Sequence, residues 1–184
     1  MQTLLRVSRA IDALNERIGR LMYWLVLFMV VIGVYNAVTR KLGQYTGVSL
    51  SSNAYLELQW YLFSLLFLWG AAYTLKHNAH VRVDVIYAQL SSRKRAWIDL
   101  LGAVFFLIPF SLLVIWVSWP MVSNSWAVLE VSPDPGGLPR YPIKTAIPVA
   151  FVLLLLQGVS EAIKRVAVLR GVLSLEEEGG EGWA

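Results

Sequence analysis

The sequence predicts an all-α integral membrane protein: four transmembrane helices, an N-terminal amphipathic interfacial helix, and both termini in the cytoplasm. Three observations predict it. The chain is 57% hydrophobic and only 15% charged, with a mean hydropathy of +0.58, whereas a soluble domain is about a quarter charged. Four stretches depleted of charge approach or exceed the length that crosses a bilayer core. Lys and Arg are shared very unevenly among the segments between those stretches.

Residues 1–20 carry the interfacial helix. Leu4, Val7, Ile11, Leu14, Ile18 and Leu21 step by three and four, which draws one apolar stripe along a helix. Arg6, Arg9, Asp12, Asn15, Glu16, Arg17 and Arg20 fall mainly on other faces. Such a helix could lie along the cytoplasmic headgroups before turning into the first span. The heptad-like spacing also fits a partner helix, with the lipid surface the preferred reading.

The transmembrane domain covers 21–170, with spans at about 21–39, 54–75, 98–122 and 143–164. The first is free of charge between Arg20 and Arg40. The second opens at Asn53, an expected N-cap, with Glu57 in its first turn near the positive end of the helix dipole. The third lies within the uncharged run Leu100 to Leu129, longer than one crossing requires, so a turn is expected after Pro120. Pro109 should kink that span unless neighbouring helices relieve the freed carbonyl. The fourth is opened by Pro142 and Pro148 and runs through VAFVLLLL. Ser91 or Ser92 is expected to cap the helix that begins at Arg93. The loop SPDPGGLPRYP, Ser132 to Pro142, reads as a structured turn. Residues 171–184 form an acidic flexible tail, Gly-rich from Glu176 onward.

Orientation follows from a count. The N-terminal segment holds Arg6, Arg9, Arg17 and Arg20; the second-to-third connection holds Lys76, Arg82, Arg93, Lys94 and Arg95; the last segment holds Lys164, Arg165 and Arg170. These make twelve, against four (Arg40, Lys41, Arg140 and Lys144) in the other two connections. The excess marks the cytoplasmic side.

Composition also excludes function classes. No cysteine is present, so disulfides, thiolate metal sites and cysteine nucleophiles are out. The net charge of +4 needs no nucleic-acid partner, because basic residues collect on cytoplasmic flanks and no basic-aromatic surface domain exists. The N-terminus lacks the short apolar core and cleavage site of a signal peptide. No ionisable residue lies at membrane depth, where one would default to a functional reading. Asn36, Ser64, Thr74, Ser111, Ser118 and Gln157 can be satisfied by helix–helix hydrogen bonds or interfacial water. Neither catalysis, a cofactor nor autonomous carriage of a polar solute is expected.

His77 and His80, spaced to share one helix face, are too few for a structural zinc site and too shallow for a haem between spans. With Lys76, Arg82 and Asp84 they form a polar cluster suited to headgroups or to a partner's loop. Trp24, Trp60, Trp97, Trp116, Trp119 and Trp126 sit near span ends as an aromatic belt, while Trp69 is deeper and placed to pack on another helix. Gly33 with Ala37, and Gly70 with Thr74, allow close helix approach. Glu57, Gln59 and Trp60 are candidates for partner contact at the outer entrance of the second span. A haem-binding or quinone-binding membrane anchor of an oxidoreductase complex is the alternative reading, and it would need histidines within the spans.

The run Ala71-Ala72-Tyr73-Thr74-Leu75-Lys76-His77-Asn78-Ala79-His80-Val81-Arg82-Val83-Asp84 resembles the signature after the second helix in the small membrane subunit of TRAP transporters, the DctQ-type family. Gly70, Lys76, His80, Arg82 and Asp84 stand at matching positions. Glu57, Trp60 through Phe67, and Pro139 to Pro148 leading into Leu153-Leu154-Leu155-Leu156-Gln157-Gly158 resemble that family too. The resemblance implies one subunit of a tripartite importer, usually sodium-driven, of organic acids and related solutes. Its implied partners are a large multi-span permease subunit, which moves the solute, and a periplasmic solute-binding protein. Membrane lipids are the remaining partner, and the bacterial inner membrane the implied location. The small subunit is implied to serve as fixed scaffold, and none of its residues to hold substrate, metal or cofactor.

Overall fold

Helices dominate because a chain this apolar must satisfy its backbone N–H and C=O groups internally. The computed structural model describes residues 1–47, 52–80, 87 and 89–173. It contains α1 (Gln2–Thr46), α2 (Asn53–Lys76), α3 (Ser92–Gly102), a π-helical turn (Ala103–Leu107), α4 (Ile108–Ala127) and α5 (Tyr141–Leu169). Four helical units are long and apolar enough to cross a membrane: α1, α2, the joined α3 to α4, and α5. Each expected span falls inside one of them.

The helix ends differ from expectation in instructive ways. No turn separates an interfacial helix from the first span: α1 is one helix of 45 residues. Nothing near residue 20 breaks it, since Ile18, Gly19, Arg20 and Leu21 include no proline and only one glycine, and Gly19 is held against α2. It stops at Gly47, whose left-handed φ of 70° lets its N–H reach back to the Gly43 carbonyl. At the start of α2 the N-cap is Ser52, not Asn53: the Ser52 hydroxyl accepts from the Ala54 N–H at 3.2 Å, while Asn53 donates to the Pro135 carbonyl at 3.0 Å. Ser91 takes the capping position of α3 without a side-chain hydrogen bond.

The joined third unit absorbs both of its prolines. The π-helical turn lies just before Pro109, and the Ile108 N–H reaches the Ala103 carbonyl five residues back. Widening the turn by one residue shifts the ladder where Pro109 can give no donor. The expected turn after Pro120 does not occur: α4 continues to Ala127. Pro120 lies on the exposed side, and the Ser123 hydroxyl donates to the Pro120 carbonyl at 3.0 Å.

α5 is the hub against which each of the other described helices packs. Its buried positions are mostly small (Ala146, Ala150, Gly158, Ser160, Ala167), which lets backbones approach closely. Gly158 receives Leu107 and Ile108 at the π-helical turn. α1 and α2 pair along much of their length through Gly19, where an added Cβ would collide with the Tyr73 ring, and through Gly33, which faces the Gln59 amide. Gly19→Ala should therefore destabilise the fold by about 1–3 kcal/mol through overpacking. Thermal unfolding in detergent, compared with Gly70→Ala, checks this. Gly70 has open space for a Cβ, contrary to its expected role in close approach.

Candidate functional site

Both ends of the bundle carry polar clusters, and the outer one is built around Glu57. Glu57 lies just past the first turn of α2 and is 3% exposed. It accepts the Ser132 hydroxyl and, at 2.5 Å, the Leu138 N–H. The Tyr61 hydroxyl donates to the Pro139 carbonyl at 3.0 Å, and a bridge pairs Val131 with Pro139. Gly136, at φ 71°, makes the reversal, and Gly137 leaves room for Ser132 and the Glu57 carboxylate. Beside it Glu130 accepts from Lys144 and from Ser125. The Lys144 ammonium and then the Ser125 hydroxyl hold the Glu130 carboxyl below the usual range, against a smaller upward push from burial. The proline-rich loop is thus a structured turn, clamped by α2 and the start of α5.

The opposite end joins all the helical units. Asn15 Nδ2 donates to Gln157 Oε1 at 2.7 Å, and Gln157 Nε2 donates to Asp12 at 2.9 Å and Glu161 at 3.0 Å. Ser8 and Ser160 share a hydrogen bond of 2.7 Å, and Ser160 also donates to Asp12 at 2.8 Å. Lys164 lies 2.6 Å from Glu161 and 3.4 Å from Asp12, and Arg165 lies 3.3 Å from Asp99 on α3. Tyr87 donates to the same Asp99 carboxylate at 2.7 Å.

Glu16 completes this end. Lys76 donates to it at 2.7 Å, Arg20 at 3.1 Å, and the His77 ring nitrogen lies 2.9 Å away. Burial raises its pKa, but the hydrogen bonds from Lys76, His77 and Arg20 outweigh that and hold it at about 2. Because the folded value lies below the ordinary 4.5, the stabilisation is complete above pH 4.5 and disappears as pH falls through about 2. A thermal stability profile should therefore drop across that window in the native chain and flatten in Glu16→Gln.

The expected site residues separate. Glu57 is turned into the protein, and Gln59 lies against Gly33 of α1 rather than outward. Trp60 is exposed and stacks edge-on against Tyr61. Trp69 packs across to α5 as expected, its indole N–H donating to the Ala146 carbonyl at 3.2 Å. Gly70 accepts from Thr74 in its own helix. Lys76 and His77 are consumed by Glu16, while His80 is exposed. The two histidines do not share a helix face, because α2 ends at Lys76 and Asn78 takes a left-handed φ of 53°. Arg82 and Asp84 lie outside the described residues. Among the described residues no three metal-ligating side chains come together.

Polar groups at membrane depth also divide. Ser64, Thr74, Ser111 and Ser118 donate to carbonyls of their own helices, whereas Gln157 crosses to α1. Its partners across the interface, Asp12 and Asn15, and the neighbouring Ser8–Ser160 pair were not singled out from the sequence as a contact surface. Their signal was present: Ser8, Asp12, Asn15 and Glu16 recur at three and four, as do Gln157, Ser160, Glu161 and Lys164. Two matching polar stripes near one membrane face can satisfy each other.

The arrangement ties helices together at both ends and leaves long apolar faces outward, including Trp24, Phe28 and Val31 on α1, Phe106 in the π-helical turn, and Trp116 and Val117 on α4. A comparison with protein families matches residues 29–168 to the model described as "Tripartite ATP-independent periplasmic transporters, DctQ component". No curated protein and no solved structure matches the chain.

Proposed function

Since the chain belongs to the DctQ family, the small subunits of tripartite ATP-independent periplasmic transporters, we propose that it works as the fixed scaffold beside a large permease subunit. It sits in the bacterial inner membrane and supports ion-driven import of organic acids or related solutes delivered by a periplasmic binding protein. The observation that carries the scaffold role is the direction of its polar groups. Most of the buried ones are spent within its own fold, across helices as at Gln157, Glu16 and Glu57 or on carbonyls of their own helix as at Ser111 and Ser118, while the outward surface of the spans is apolar. Such a surface suits lipid and a membrane partner, and offers a polar solute no path.

His80 and Trp60, exposed at opposite ends of α2, together with Arg82 and Asp84, are the proposed contacts with the large subunit. Co-expression with a large permease subunit and affinity purification through this chain tests the pairing. A stoichiometric complex is expected, and replacing His80, Arg82 and Asp84 together by Ala should reduce its recovery. A chain that purifies alone from cells making both subunits would refute the pairing.

A further inference from the structure

The first half of α1 has three faces, and only one is used by the fold. Ser8, Ile11, Asn15, Gly19 and Met22 are buried against the bundle. The two acids, Asp12 and Glu16, sit at the edge of that face and are held by Lys164, Lys76 and His77. The bases face the other way. Arg6, Arg9 and Arg17 are exposed and make no ion pair among the described residues, and the Arg20 side chain is 73% exposed despite its contact with Glu16. Separated by three, eight and three residues, these arginines fall within roughly 80° of the helix circumference and form one ridge.

An apolar ridge runs next to it. Val7, Leu14 and Leu21 recur every seven residues and are all exposed, and Phe28, Tyr35 and Leu42 continue the same spacing through the first span. The expected apolar stripe is therefore largely turned away from the protein, with the polar stripe inside. The ridge is continuous with the part of α1 that faces the membrane interior.

The packing also sets the inclination of this segment. The charge-free run of α5 ends at Ser160, which meets Ser8; that of α2 ends before Lys76, which meets Glu16. These two marks of the same membrane boundary touch α1 eight residues apart, about 12 Å along its axis. An upright helix would meet both at one level. With both marks taken at one depth, α1 inclines along the boundary there, which brings its arginine and apolar ridges to headgroup depth.

We propose that this outward side of α1 is a binding surface for anionic phospholipid. The arginine ridge takes the headgroup phosphates and Val7, Leu14 and Leu21 enter the acyl boundary. Both acids sit at the bundle edge and are engaged there, Glu16 by Lys76, His77 and Arg20 and Asp12 by Lys164, so the charges on the exposed ridge itself are all positive, the complement of an anionic leaflet. Arg supplies planar, paired donors that suit phosphate oxygens.

Native mass spectrometry of the purified full chain, titrated with phosphatidylglycerol or with phosphatidylcholine of the same acyl chains, tests this. The native chain should prefer phosphatidylglycerol by at least about tenfold, since each surface arginine is worth roughly fivefold. In Arg6→Gln/Arg9→Gln/Arg17→Gln/Arg20→Gln the two lipids should bind within about twofold, and the corresponding fourfold Lys variant should keep the preference. Equal binding of both lipids by the native chain, or an undiminished preference in the Gln variant, overturns the proposal. A second measurement does not depend on the Gln variant folding. The chain has no cysteine, so a nitroxide on Leu14→Cys in the otherwise native chain reports this ridge alone. In phosphatidylglycerol bilayers it should be accessible to oxygen and shielded from an aqueous nickel chelate. Access to the chelate overturns the proposal, and so does shielding from both reagents in the transporter complex, which would assign this face to a protein.

Discussion

Gln157→Ala should lower the stability of the folded chain by about 2–4 kcal/mol, among the largest effects of any single side-chain change here. Gln157 is fully buried where α1 crosses α5, and it bonds Asn15, Asp12 and Glu161 at once. Truncating it removes three hydrogen bonds, leaves the buried Asn15 amide without its acceptor, and reduces the Asp12 carboxylate to Ser160 and Lys164. An unpaired buried polar group costs more than its hydrogen bond contributes when made. The test is a double-mutant cycle read by thermal unfolding in detergent. Asn15→Leu combined with Gln157→Leu should be less destabilising than the sum of the two single changes, because both ends of one bond leave together. Strict additivity would show that the two side chains do not act as a pair.

Glu57→Ala should release the outer proline loop while leaving the helices in place. Glu57 supplies acceptors for both the Ser132 hydroxyl and the Leu138 N–H, from opposite ends of the turn. Without it the loop keeps the Tyr61 and Asn53 contacts to Pro139 and Pro135 but loses the group at its centre. Limited proteolysis within 132–140 should accelerate on the order of tenfold, with far-ultraviolet circular dichroism nearly unchanged. Glu57→Gln should fall between, since an amide retains one acceptor oxygen. Unchanged proteolysis in the Ala variant would show that proline stiffness alone maintains the loop.

The helices were legible because lipid-crossing length and charge depletion leave few alternatives. Boundaries were less so. Thr39 and Arg40 read as the end of the first span, yet α1 runs on to Thr46, since leaving the hydrocarbon does not itself break a helix. Pro120 read as a stop, yet α4 runs through it: an interior proline costs one hydrogen bond and crowds the preceding turn, but on an exposed face it does not by itself end the helix. The polar clusters were harder to see. Glu57 read as a dipole-adjacent acid open to a partner, because its true partners lie 75 and 81 residues away in a loop whose path no local pattern reveals. The stripe of Leu4, Val7 and Leu14 was visible, but its direction was not. In a membrane the apolar side of a helix can face outward, so periodicity defines the faces without choosing between them.

Solute uptake into proteoliposomes tests the central claim most directly, with this chain, the large permease subunit and the binding protein supplied singly and together. Uptake is predicted only when all three are present, with an ion gradient imposed. Uptake by this chain alone, or full-rate uptake by the large subunit and binding protein without it, would contradict the account.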